Sequence, residues 1–115
     1  MSTQNLALLT LTLALTGAVT ANRFVTASGA LAGADANTLG VSRVSGVSGE
    51  KAPVDVLGTA VVEAGAAVSA GATIKSDSTG RGITWVTSGA KVGLALEAAT
   101  AAGQMIEVLL IPNVA

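Results

Sequence analysis

Val68-Ser-Ala-Gly-Ala-Thr-Ile-Lys-Ser-Asp-Ser-Thr-Gly-Arg-Gly-Ile-Thr-Trp-Val-Thr87 is the stretch that decides the fold. Two extended runs flank Asp77-Ser-Thr-Gly80, a four-residue turn signal in which Gly80 is free to take positive φ. The reading is a hairpin. On its second arm Ile83 and Trp85 share one face, and Thr84 and Val86 share the other. Trp85, the single tryptophan, is expected to anchor the core. Arg81, just after the turn, is expected to bond Asp77 or a loop carbonyl, with a recognition role as the alternative.

Toward the C-terminus the extended pattern continues. Ser88-Gly-Ala90 turns the chain, and Val92, Leu94 and Leu96 then alternate with Gly93 and Ala95. Residues 97–103 read as one helical turn ended by Gly103 or as a loop. From Gln104 to Ile111, Ile106, Val108 and Leu110 face one way and Met105, Glu107 and Leu109 the other, before Pro112 ends the run. Glu107, an acid inside an apolar strand, is expected at a solvent-facing or interface position.

Toward the N-terminus, 54–63 is a β-branched run interrupted by Gly58, and 46–53 (GVSGEKAP) is expected to be a flexible surface loop. Residues 39–45 and 23–27 read as short strands around a Gly/Ala/Asn/Asp loop at 28–38. Seven or eight short strands with a turn every 8–12 residues and no long helix make the class all-β, a barrel-like or sandwich arrangement. A chain of 115 residues is one domain, 1–115.

Residues 6–21, LALLTLTLALTGAVTA, admit two readings. One is a secretory h-region with a small-residue cleavage site at Val19-Thr20-Ala21, which makes the protein a secreted or surface β-domain with residues 1–21 removed. Against it, MSTQN carries no basic residue. The segment is also too short and too threonine-rich to cross a bilayer as a helix. Leu9 to Thr16 alternate strictly, leucine against threonine or alanine, which is the period of a half-buried strand and the favoured reading.

Composition narrows the function classes. Hydrophobic residues are 50% of the chain but aromatics only 2%, so the core is built from small and β-branched side chains. There is no Cys, and with it no disulfide framework or thiolate metal site. There is no His, the commonest general base. Charged residues are 11% and the net charge is −1, with the basic side chains scattered singly. Nucleic-acid binding asks for a basic footprint and stacking aromatics, and neither exists here. Gly80-Arg-Gly82 begins like a dinucleotide fingerprint, but Trp85 stands where the third Gly belongs. The serines and threonines have no His to activate them, and no acids sit in calcium-loop spacing. We therefore expect no catalytic, cofactor or metal site and no small-molecule substrate.

Val68-x-Ala70-Gly71-x3-Lys75-Ser76-Asp77-x2-Gly80-Arg81, followed by Val92-Gly-Leu-Ala-Leu-Glu-Ala98-Ala99-x3-Gly103-x2-Ile106-Glu-Val-Leu-Leu110, resembles the capsid cement, or head-decoration, proteins of tailed bacteriophages. The resemblance covers residues 54–111; the N-terminal third shares only its Ala/Gly/Thr-rich, extended character. It implies a compact all-β domain, often a homotrimer, on the outer surface of the virion capsid. There it bridges neighbouring major capsid protein subunits after shell expansion, with no catalysis and no cofactor; we also expect no membrane or nucleic-acid partner. The expected contact segments are the polar N-terminal arm, 1–5, and the loop 46–53, because neither is needed for the core. The residues expected at the contact are Ser2, Thr3, Gln4, Asn5, Glu50, Lys51 and Arg81.

Overall fold

The computed structural model describes residues 5–111. Eight strands follow in chain order: β1 (Ala7–Ala14), β2 (Arg23–Val25), β3 (Gly40–Ser42), β4 (Lys51–Glu63), β5 (Thr73–Ser76), β6 (Gly82–Thr84), β7 (Gly93–Ala95) and β8 (Met105–Leu110). They pair in the order β2-β3-β4-β8-β7-β5-β6, with β1 added to β4. The ends of that path almost meet. The Phe24 amide in β2 donates to the carbonyl of Gly80, just before β6, at 2.7 Å. Ala64 also bridges Gly82 in parallel. The result is a nearly closed, barrel-like sheet with no helix among the described residues.

β4 organises the molecule. Its first half pairs with β1, Leu11 opposite Val54 and Leu13 opposite Ala52, and with β3, Val41 opposite Asp55. Its second half pairs with β8, Ala60 opposite Val108 and Val62 opposite Ile106. Between the halves Gly58 takes φ +97°, at the point where β1 shifts register. A Cβ there would meet the Leu6 carbonyl, so no other residue fits this bulge without strain.

Alternation sets the core. The inward residues of β4 and β8 (Ala60, Val62, Ile106, Val108 and Leu110) pack with Phe24, Ile74 and Val92. A second, smaller cluster joins Leu15, Val19, Val25, Ala52 and Val54. Each buried Val, Ile or Phe contributes about 1.5–3 kcal/mol of transfer free energy. With only Phe24 as a fully buried aromatic, close approach of small side chains replaces ring packing.

The hairpin forms as read, with Ile74 opposite Thr84, Ser76 opposite Gly82 and Gly80 at φ +81°. The segment 97–103 is turn and bend, without a helical turn. Three expectations need correction. The loop expected over 46–53 ends at Glu50, because Lys51–Pro53 already pair with β1 as the start of β4. Trp85 lies just past β6 and is half-buried; its indole N–H donates to the Gly89 carbonyl at 2.9 Å, and Lys91 sits 4.5 Å from the ring centroid. A surface loop therefore uses the tryptophan that the core was expected to take. Finally, β1 is a strand but not a half-buried one. Leu9 and Leu11 remain 43% and 41% exposed, because β1 is an edge strand and no other described element covers that stretch. Cleavage after Ala21 would strip β1 from β4 and remove Leu15 and Val19 from the smaller core.

Candidate contact surfaces

β4 serves as a ruler for the residues expected at the contact. Ser2, Thr3 and Gln4 lie outside the described residues. Asn5 is exposed near the middle of β4, next to Leu6, whose amide donates to the Thr59 hydroxyl at 3.0 Å. Lys51 is exposed at the start of β4, opposite Ala14. Eight residues of strand, about 27 Å, separate Lys51 from Thr59. Glu50 is engaged in its own turn, accepting from the Val47 amide at 2.8 Å. Arg81 lies at the far end, beside Glu63. Among the described residues, Asn5, Glu50, Lys51 and Arg81 are thus spread along the length of β4, and no three of them come together.

Arg81 follows its expected structural bond. Its Nε lies 3.3 Å from Asp77 Oδ2 and its guanidinium 3.7 Å from Glu63, which also meets Arg23 at 3.3 Å. The row Arg23–Glu63–Arg81–Asp77 clamps the hairpin turn onto β4 and β2. Partial burial of Asp77 works against its charged form. The amides of Thr79 and Arg81, the Thr79 hydroxyl and the Arg81 charge outweigh it and hold the carboxyl below its ordinary range. Lys75, 2.7 Å from Asp35, is the main reason that the Asp35 carboxyl is also lowered.

A cavity of about 260 Å³ opens beside the middle of β4, lined by Asn5, Asn22, Ser42, Arg43, Asp55 and Val61 among others. Its buried carboxylate, Asp55, already accepts from Arg43 Nε at 2.8 Å and from the Thr10 hydroxyl at 2.8 Å. Both of its strong partners come from the protein itself, so the cavity is a braced seam between β1, β3 and β4. Among the described residues no three His, Cys, Asp or Glu side chains gather at a point that would hold a metal ion.

The exposed apolar surface lies elsewhere. One patch is β1 with the residue before it, where Leu6 and Leu8 are more exposed than Leu9 and Leu11. Another is the outward face of β8 and its neighbours, where Leu94, Met105 and Leu109 are exposed around Glu107, which is itself only 3% exposed; Val44, Val47 and Val86 are exposed in loops. A solvent-facing Glu107 was one of the two expected positions; burial under its neighbours removes it. Leu-Thr alternation and an acid set in an apolar run were visible in the sequence. Which face lacked a cover was not.

Comparison with known proteins supplies what geometry alone does not. A family model described as phage cement protein matches residues 3–110. The chain is also similar to a solved structure, the head fiber gp8.5 N base in bacteriophage phi29, with a TM-score of 0.71. That likeness covers 90% of this chain and 93% of the other at 18% identity, so it is a likeness of fold. No curated protein matches the chain.

Proposed function

The chain belongs to the phage cement protein family, and from this premise we propose that it binds the outer surface of the phage capsid and bridges neighbouring major capsid protein subunits. The observation that carries the reading is the extent of the family match, residues 3–110, which takes in β1 as well as the C-terminal motifs. The phi29 relative is a head fiber protein, which agrees with a structural role on the virion.

Such a protein acts through binding free energy alone. A ligand that binds only the assembled, expanded shell stabilises that state by mass action. Repetition over many copies multiplies the effect, and a homotrimer adds avidity when its three arms engage together. A chain without His or Cys and with few charges suits permanent packing and needs no cofactor or substrate. The test is to mix purified protein with undecorated expanded heads. Binding predicts co-sedimentation and greater resistance of the heads to heat and chelator; heads that sediment bare and gain no resistance overturn the proposal.

A further inference from the structure

Glu107 is the least explained charge in the molecule. It lies in the middle of β8, opposite Val61 on β4, and the amide of Leu96 donates to its carbonyl at 2.9 Å. Its side chain points away from the core, on the same face as Met105 and Leu109, while Ile106 and Val108 point inward. Around Glu107 that outward face is mostly apolar, with Leu94, Met105 and Leu109 exposed and Val61 and Leu96 half-buried; Thr59 lies opposite Leu109, and Glu63, held by Arg23 and Arg81, borders the face opposite Met105. Glu107 as a residue is only 3% exposed, and a carboxylate at the edge of so enclosed a site is favoured by a cation or donors that offset its partial desolvation. No ion pair among the described residues reaches it. The nearest charged group recorded at its backbone is another acid, Glu97, which accepts from the Glu107 amide at 2.9 Å.

The chain has little positive charge to spare. Arg23 and Arg81 pair with Glu63, Arg43 with Asp55 and Lys75 with Asp35, while Lys91 lies over Trp85. Lys51 stands at the opposite end of β4 from the Val61–Glu107 pair. A two-fold pairing of this face onto a second copy would set Glu107 against Glu107, which like-charge repulsion disfavours. Charge complementarity then favours a cation brought by a foreign surface. The face is also continuous with the arm: Val61 and Asn5 line the same cavity.

We propose that the outward face of β4, β8 and β7, centred on Glu107, is the surface that seats on the capsid. Its occupant is an aliphatic segment of the capsid protein bearing one lysine or arginine, whose head group rests on the Glu107 carboxylate. The inference rests on the cement reading above and names its contact.

The test titrates undecorated expanded heads with wild-type protein and with Glu107→Lys, Met105→Lys and Met105→Glu, following co-sedimentation and, without heads, melting temperature and sedimentation velocity. Unpairing a desolvated interfacial charge predicts a loss of affinity of about thirtyfold or more for Glu107→Lys. Met105 is exposed, so its variants keep the fold even where Glu107→Lys does not. Met105→Lys should weaken binding more than Met105→Glu, because the occupant is basic. Wild-type protein that fails to bind heads overturns the cement reading itself. Wild-type binding with unaltered binding by both lysine variants overturns this inference alone. Variants that instead break up an oligomer of the free protein assign the face to contacts between copies, and also overturn it.

Discussion

β1 and β8 carry nearly the same sequence pattern and meet opposite fates. Both alternate large aliphatic residues with smaller or polar ones. In β8 the residues Ile106, Val108 and Leu110 are buried, because β4 and β7 flank the strand and Phe24 and Ile74 close over it. In β1 Leu8, Leu9 and Leu11 stay exposed and only Leu13 packs against the smaller core, because β4 is its one strand partner among the described residues. Alternation reports the twofold period of a strand; it does not report what lies across from each face. Coverage comes from distant pairings such as Val62 with Ile106, which no local window of sequence contains.

That contrast can be broken by mutation. The largest expected effect is Ile106→Ala, which should cost about 2–5 kcal/mol in urea unfolding through lost contacts and the cavity left behind. A cost below about 1 kcal/mol would mean that β8 is no better covered than β1. Next is Gly58→Ala, which forces a side chain into left-handed backbone against the Leu6 carbonyl and should cost about 1–3 kcal/mol. Unchanged stability would show that β1 does not depend on its bulge.

Acid separates the hairpin from β1. A carboxyl lowered in the folded state stabilises the fold above its unfolded pKa, and that stability is lost as pH falls through the lower folded value. Melting temperature should therefore fall as pH drops below about 4, where Asp77 and Asp35 take up protons. Asp77→Asn should flatten part of that fall and cost about 1 kcal/mol or less at neutral pH. A variant with the full acid slope would assign that slope to other carboxyls. The smallest effect belongs to Leu8→Ser, within about 0.5 kcal/mol of wild type in the same unfolding assay, as for an uncovered surface residue. A large loss there would place an unseen cover over β1.

Legibility in the sequence followed the same division. The Asp77–Gly80 hairpin, a count of seven or eight strands and the facing of Ile106, Val108 and Leu110 were readable, because turn chemistry and strand period act over a few residues. The start of β4 at Lys51 was not, since Gly49 and Pro53 read locally as loop and only pairing with β1 draws Lys51–Pro53 into a strand. Trp85 was misplaced because its size argues for a core, yet a loop carbonyl satisfies its indole at the surface. Glu107 stood out in the sequence, but its burial depends on Val61 and Leu96, neither of which is adjacent in the chain. Of the residues expected at the contact, Arg81 is explained by its ion pairs, while Asn5 gained a setting only once Val61 was found across the same cavity.

β4 threads both hydrophobic clusters on one uninterrupted backbone, Ala52 and Val54 in one and Ala60 and Val62 in the other. Neither half can melt while the other stands without tearing this shared staple, so denaturation should be all-or-none despite the two clusters. The amides of Val54, Ala60 and Val62 should then be the slowest in the chain to exchange with deuterium, opening only when the entire molecule opens. In the proposed role, such concerted behaviour would remove the partly undone states through which a grip on the particle is gradually lost.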